Sequence, residues 1–404
     1  MKINISPSTL CGALKAPPSK SMAHRLLIAA GLSSGTSQIR GIADSEDVLA
    51  TLDLLRALGA RCQKSGDTVT LTGIDPRKAR ITGIPSCREC GSTLRFFIPL
   101  CLLSDGKSVL MGSERLFARP LDVYEKICRE QNLFFQKNQT TLTLQGPLRA
   151  GDFVLRGDVS SQFISGLLFA LPLCDGDSTI RLLPPVESRS YIDMTLDALA
   201  TFGVQAAWSD ELTLTVKGNQ TYTACHVQVE GDYSNAAFFL ALGALGMKVD
   251  VTDLPDKTRQ GDRVCRAYFR ALSEGTPTLS VGDCPDLAPI LMAVAAAKNG
   301  CVLTETRRLA IKESNRGAAM AEELAKLGVS VKLEDDRITV SGGQLRPPTE
   351  SLFGHNDHRI VMSLATLCCL TGGTIAGAEA VRKSLPDYFT LMQSLGLEMI
   401  SLEA

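Results

Sequence analysis

The sequence predicts an α/β protein of two similar domains, each made of three units of one buried helix, one amphipathic helix and several strands. Three observations predict it. First, a polar, capping-type start followed by an almost wholly apolar helix occurs six times, at 19–31, 91–106, 160–176, 234–246, 286–300 and 357–372. Markers at Lys20, Gly91, Ser161, Asn235, Asp286 and Asp357 step by 71, 70, 74, 51 and 71 residues. Second, an amphipathic helix closing on a glycine or asparagine recurs in phase, ending at Gly59, Asn132, Gly203, Gly275, Gly328 and Gly396, with steps of 73, 71, 72, 53 and 68. Third, these helices are followed by segments that alternate as half-buried strands do, such as Thr68-Val-Thr-Leu-Thr72, Thr141-Leu-Thr-Leu144 and Arg337-Ile-Thr-Val340. A helix that is apolar all round must be covered on every side, so three such helices inside a ring of three sheets account for each half.

The elements follow from local chemistry. Pro17-Pro18-Ser19 starts the first buried helix, and glycine closes the amphipathic ones because a left-handed C-cap needs it. Lys20 and Arg25 lie in the first two turns of the first helix, where the helix dipole disfavours cations. A bound anion offsets them, and helix N-termini bind anions well. The second helix opens Gly91-Ser92-Thr93-Leu94-Arg95, the third Ser160-Ser161-Gln162 and the sixth Asn356-Asp357-His358-Arg359. Taken singly, each start is an N-cap with a solvated charge. Repeated on helices of one architecture, they predict a shared anion-binding cleft. Arg119 before Pro120, Lys312-Glu313-Ser314-Asn315-Arg316 at the head of the amphipathic helix that reaches Gly328, and Lys383 before Ser384-Leu385-Pro386 are further basic positions.

Length and composition bound the rest. The 404 residues exceed one ordinary core, and 45% apolar content is normal for a globular chain. Lys and Arg total 42 against 43 Asp and Glu, a net charge of −1, so the basic excess of a nucleic-acid binder is missing. The opening residues lack an apolar core of signal-peptide length, and the longest apolar runs are too short to cross a bilayer; the expectation is a cytoplasmic protein. The 13 cysteines are odd in number and scattered, many in apolar runs, as buried free thiols are. Cys87-Arg88-Glu89-Cys90 has no second pair for a structural zinc and no thioredoxin-like unit around it, so no metal is expected. P-loop, dinucleotide, nucleophile-elbow and zinc-protease motifs do not occur, which removes local support for those chemistries.

Seven motifs in order, Pro18-Ser-Lys-Ser with Arg25, Gly91–Arg95, Arg119-Pro120, Ser160–Gln162, Lys312–Arg316, Asn356–Arg359 and Lys383-Ser-Leu-Pro-Asp-Tyr-Phe389, run from about residue 15 to about 389. In them the chain resembles the enolpyruvyl transferase family, and within it the 3-phosphoshikimate 1-carboxyvinyltransferases. The resemblance implies the family's inside-out α/β barrels, each of three βαβαββ units around buried helices, with residues 1–16 and 230–404 forming one domain and residues 17–229 the other. It implies transfer of the enolpyruvyl group of phosphoenolpyruvate to the 5-hydroxyl of shikimate 3-phosphate, by addition and elimination with release of phosphate, on the route to chorismate and the aromatic amino acids. It implies no cofactor and no metal, only small-molecule partners with neither nucleic acid nor membrane, and a monomer.

By the same resemblance, Asp286 is the base for the 5-hydroxyl and Glu313 the group that transfers a proton at the methylene carbon, with Lys20 and His358 assisting. Lys20, Ser21, Arg25, Ser160, Ser161, Gln162, Ser188, Asp286 and Lys312 would meet shikimate 3-phosphate. Lys20, Gly91, Arg119, Gln162, Arg316, Arg359 and Lys383 would meet phosphoenolpyruvate. Bland readings stand beside these: Asp286 as an N-cap, Glu313 as the partner of Arg316, His358 as a satisfied core histidine. Some positions depart from the commoner family pattern: Glu89-Cys90 where Asn with Ala or Ser is usual, Ser92 for Thr, Phe96 after Arg95, and Arg308 for an Asn that touches the shikimate phosphate. The sister enzymes acting on UDP-N-acetylglucosamine typically carry Lys-Asn where Lys20-Ser21 stands and a cysteine where Glu114 stands, which disfavours that acceptor. A non-catalytic repeat scaffold explains the repeats but not the basic residues at the starts of buried helices.

Overall fold

The computed structural model describes residues 1–79 and 81–402. The chain forms two compact units, Lys20–Glu230 and Met1–Ser19 with Gly231–Ala404. Each unit has its own apolar core.

In the unit Lys20–Glu230 the third repeat is complete. Strand Asp152–Arg156, buried helix Ser161–Ala170, strand Ser178–Leu183, amphipathic helix Arg189–Thr201 and strands Ala206–Trp208 and Thr213–Val216 follow one another. In the sheet the first two strands are parallel, Asp152 opposite Thr179, and the last two are antiparallel to their neighbours, with the final strand in the inner position. The first repeat has the same sheet order but takes its leading strand, His226–Gln228, from the far end of the unit. In the second repeat, among the described residues, a single parallel bridge from Ser86 to Met111 stands in place of the leading strand beside three strands.

The other unit follows the same plan. Its fifth repeat is complete, from Thr278–Ser280 through buried helix Ala288–Ala297 and strand Gly300–Thr304 to helix Arg316–Lys326 and strands Val331–Glu334 and Arg337–Ser341. The sixth ends with Met399–Leu402, and strand Lys2–Ile5 inserts between that strand and Gly373–Ala376, antiparallel to both. The fourth repeat is the short one. Strand Cys11–Lys15 pairs in parallel with Lys248–Thr252, helices Tyr233–Ala244 and Cys265–Glu274 are present, and the closing antiparallel pair is missing among the described residues. That omission accounts for the step of 51 residues where the others are about 70.

The apolar helices are covered as their composition requires: residues 290–296 are each 0% exposed. Two helix starts differ from the sequence reading. The fifth buried helix is entered through a 3-10 turn, Pro285–Leu287, which holds Asp286. The amphipathic helix expected to open at Lys312 begins at Arg316, capped by Asn315, whose Oδ1 accepts from the Ala318 N–H at 3.2 Å. Among the described residues no helix is long and apolar enough to cross a membrane.

Candidate active site

The expected residues gather in two groups, one in each unit. In the unit Lys20–Glu230 most of them lie at the starts of the three buried helices, with Arg119 after a short helix and Ser188 before the amphipathic helix Arg189–Thr201. Lys20 is the first helical residue, and its Nζ is 2.8 Å from Asp47 Oδ2 on the neighbouring helix Glu46–Ala57. Gly91 opens the second helix, and the Arg119 guanidinium lies against its Cα; a Cβ there would come 2.7 Å from Nη1 and 2.9 Å from Cζ. The bare glycine therefore lets a buried arginine rest on a helix N-terminus. Arg119 ends the short helix Glu114–Ala118 in extended backbone, as a residue before proline does.

The third helix is capped by Ser160, whose Oγ accepts from the Gln162 N–H at 3.3 Å, and Ser161 is buried beside it. Gln162 ties two helices together, accepting from Arg95 Nη1 at 2.7 Å and donating to Ser92 Oγ at 2.9 Å. Arg95 also donates to the Pro120 carbonyl at 3.0 Å, so it frames the group. Arg25 is bound by the protein more fully than its expected phosphate contact suggests. It donates to Thr195 Oγ1 at 2.9 Å and to the carbonyls of Ser21 at 2.7 Å and Tyr191 at 2.8 Å, under Phe96 and Tyr191. Burial lowers its pKa to about 10, which leaves it a cation at neutral pH. Ser188 takes a left-handed φ of 55° before the helix Arg189–Thr201 and is buried.

In the other unit the residues form one ion-pair network. Asp286 receives Arg316 Nη1 at 2.7 Å and Lys312 Nζ at 3.5 Å on Oδ1, and Arg359 Nη2 at 2.9 Å on Oδ2. Arg316, only 1% exposed, also donates to Glu313 Oε2 at 2.8 Å and, through Nε, to Asp357 Oδ2 at 2.9 Å. Asp357, 0% exposed, caps the sixth helix by accepting from the Arg359 N–H at 2.9 Å, and takes Ser314 Oγ at 3.0 Å. His358 is buried with Nδ1 3.8 Å from Asp357 Oδ1. Lys383 Nζ donates to the Asn356 carbonyl at 2.6 Å.

The electrostatics follow from those contacts. Burial pushes the Asp286 carboxyl up, but Arg359, Lys312 and Arg316 outweigh it and hold the group well below the usual carboxylate range. Burial brings Lys312 down to about 8, opposed by Asp286 and Glu313 and helped by Arg308 and Arg316. Asp286 is not an N-cap, since it lies inside the 3-10 turn; Glu313 does pair with Arg316. The sequence reading missed Asp47 and Asp357 as the partners that hold Lys20 and Arg316. Asp357 stood at the expected helix start, and a capping acid beside a buried arginine was the signal. Nothing local marks Asp47, which lies 27 residues from Lys20.

The profile of the family described as EPSP synthase (3-phosphoshikimate 1-carboxyvinyltransferase) matches residues 5–271 and 270–392. The chain belongs to the EPSP synthase family. A 3-phosphoshikimate 1-carboxyvinyltransferase of Clostridium kluyveri is 38% identical over 98% of this chain and 98% of its own. One from Clostridium perfringens is 39% identical over the same shares. Among solved structures, an EPSP synthase of Acinetobacter baumannii superposes with a TM-score of 0.79 at 22% identity, covering 99% of this chain and 100% of that one. The enolpyruvyl transferase NikO of Streptomyces tendae gives 0.78 at 16% identity, covering 100% and 99%. The fold of the EPSP synthases thus extends over the whole chain, and the predicted α/β class with its repeated units holds.

Proposed function

We propose that this enzyme transfers the enolpyruvyl group of phosphoenolpyruvate to the 5-hydroxyl of shikimate 3-phosphate, releasing phosphate, as a step towards aromatic amino acids. The observation that carries the reading at the level of residues is the network in which Asp286 is held by Lys312, Arg316 and Arg359. Each substrate carries a carboxylate and a phosphate of roughly −1.5 to −2 charges near neutral pH. Such ligands suit guanidinium forks.

In the proposed chemistry Asp286 takes the proton of the 5-hydroxyl as that oxygen bonds to C2 of phosphoenolpyruvate, while the methylene carbon gains a proton from Glu313, with Lys20 assisting. Loss of a methyl proton then expels phosphate and restores the double bond. Before substrate arrives, three cations keep Asp286 a weak base. Anions that draw Arg316, Arg359 and Lys312 towards themselves weaken that hold and raise its basicity, so the base strengthens only when there is something to deprotonate. Gly91, Arg119, Gln162 and Lys383 are assigned to phosphoenolpyruvate; Ser21, Arg25, Ser160, Ser161 and Ser188 to shikimate 3-phosphate. Arg25, with most of its donors already engaged, contributes charge and position more than a new fork. His358 assists through Asp357.

The test is phosphate release from phosphoenolpyruvate that depends on shikimate 3-phosphate, with UDP-N-acetylglucosamine as control acceptor. Release with the control alone would overturn the acceptor. Asp286→Asn keeps the side-chain shape and removes the base, so kcat should fall by about 10²-fold or more with a small change in shikimate 3-phosphate binding; unchanged turnover would remove Asp286 from that role. All thirteen cysteines are free thiols, as a reducing compartment favours, and we assign the enzyme to the cytoplasm as a monomer.

A further inference from the structure

Cys90 is one of the positions at which this chain departs from the commoner family pattern, and the proposed reaction makes no use of it. Its Sγ lies 4.0 Å from His24 Nε2, and with a carboxylate oxygen of Asp47 these donor atoms all fall within 4.8 Å of one another. His24 is 1% and Cys90 2% exposed, whereas the Asp47 side chain keeps 13% of its surface, so the group opens to solvent on the Asp47 side.

The contacts around the group orient the histidine ring, with Nδ1 on Thr51 and Nε2 towards the sulfur. His24 Nδ1 is 2.7 Å from Thr51 Oγ1, and Thr51 Oγ1 is 2.7 Å from Thr93 Oγ1. The Thr93 hydroxyl proton is directed to the Asp47 carbonyl at 3.4 Å and to Cys90 Sγ at 3.1 Å. In the tautomer with its proton on Nδ1, His24 donates to Thr51 and Thr51 donates on to Thr93, which turns the Nε2 lone pair towards Cys90. Burial, with Lys20 and Arg25 nearby, holds His24 far below its ordinary pKa, so it stays the neutral imidazole that ligates metals. A ligating histidine whose other ring nitrogen is held in this way is the usual arrangement at metal centres.

We propose that His24 Nε2, Cys90 Sγ and an Asp47 carboxylate oxygen form a binding site for a divalent transition metal of the zinc or cobalt class. A mixed nitrogen, sulfur and oxygen set suits such borderline ions and not magnesium or calcium. A tetrahedral ion with bonds of about 2.0–2.3 Å spaces its donors about 3.3–3.8 Å apart, so the group closes by rotamer shifts of about an ångström. A water supplies the fourth position on the open side. Burial pushes the Cys90 thiol up to about 12, with Asp47 adding to the rise and Lys20 and the Thr93 bonds opposing it. Without metal it is a thiol; on binding, the S–H bond breaks, sulfur bonds the ion and one proton leaves to solvent. Cys90 is also the N-cap of the second buried helix, with the Thr93 N–H 3.4 Å from its sulfur, a setting that favours the thiolate once formed.

Sequence spacing points away from a metal because Cys87-x-x-Cys90 lacks a second pair; the fold brings in His24 and Asp47 from two other helices. The other close group of ligating types, Glu322, Glu323 and His355, is a poorer candidate, since both Glu323 oxygens already bind Lys326 at 3.0 Å and also take the Phe353 N–H and His355. An ion on Asp47 competes with Lys20, so occupancy should also inhibit turnover, a consequence that rests on the role proposed for Lys20.

The experiment is titration of the full-length, metal-free enzyme with cobalt(II), followed optically. Expected are one cobalt per chain, a thiolate-to-cobalt charge-transfer band in the near ultraviolet, displacement by zinc, and release of one proton per ion. Cys90→Ser retains the helix cap and should fold, lose the band and bind cobalt at least tenfold more weakly; His24→Asn should weaken binding similarly. No charge-transfer band at stoichiometric cobalt, or an unchanged titration in Cys90→Ser, overturns the proposal. Turnover of the metal-free enzyme tests the functional reading separately, because the optical titration needs no substrate.

Discussion

Gly91 is set by the guanidinium that stands against it. A methyl group at Cα would press on the far end of Arg119, which must then swing off the helix N-terminus. Gly91→Ala should therefore raise the KM for phosphoenolpyruvate by about tenfold, one lost or displaced charged hydrogen bond, with a smaller change for shikimate 3-phosphate. Steady-state kinetics with each substrate varied in turn checks this. Lys312 gives a pH signature. Its pKa is lowered to about 8, chiefly by burial, so it is charged below that pH and loses its charge as pH rises through it. Affinity for anionic shikimate 3-phosphate should hold on the acid side and weaken above about 8. Lys312→Arg, charged throughout, should abolish the bend. A profile of KM against pH that does not change with Lys312→Arg would remove Lys312 from the binding group.

At the scale of elements, the helices Arg316–Lys326 and His358–Thr371 are knitted at their starts by one arginine. Arg316 binds Asp286, Glu313 and Asp357, and the last of these is 0% exposed. Removing the arginine leaves a buried carboxylate uncompensated, which costs about 3–5 kcal/mol. Arg316→Ala should thus lower stability by that order in denaturant unfolding, beyond any loss of substrate binding. A variant with wild-type stability and impaired kinetics would show that Arg316 serves substrate alone. The second and third buried helices meet differently. Gly166 faces the Arg95 carbonyl, where a Cβ would approach to 2.6 Å, and the Tyr124 hydroxyl fills the remaining space, donating to the carbonyls of Arg95 at 2.8 Å and Phe163 at 3.0 Å. Close backbone approach is what lets Gln162 span from one helix to the other.

Across the whole chain, the repeats are not self-contained. Strand Lys2–Ile5 fills an inner sheet position between Gly373–Ala376 and Met399–Leu402, and among the described residues Cys11–Lys15 is the only neighbour of Lys248–Thr252 in its sheet. Ile3, Ile5, Leu10 and Leu14 enter the core of that unit. Deleting residues 1–16 therefore removes strands from two sheets together with several core side chains, each worth about 2–5 kcal/mol. The truncated chain should fail to form this unit, seen as loss of cooperative unfolding and as proteolysis within residues 231–402 before the rest. A truncated chain that unfolds like the full one would contradict it.

The repeat was legible in the sequence because a helix apolar on every face has one physical solution, and a glycine at each amphipathic C-terminus marks the turn to the next strand. The site residues were legible as types, since cations at the starts of buried helices need compensation. Of their compensation only Glu313 beside Arg316 was legible: Asp47 beside Lys20, Asp357 on Arg316, and Thr195 and Tyr191 on Arg25 come from elsewhere in the chain. The same holds for His24 and Asp47 at Cys90. Sequence by itself determined the periodicity and the chemical kinds, because burial and helix capping act within a few residues. Only the tertiary structure decided which acid meets which base, because charges in a core interact with whatever the folding of distant segments brings within a few ångströms.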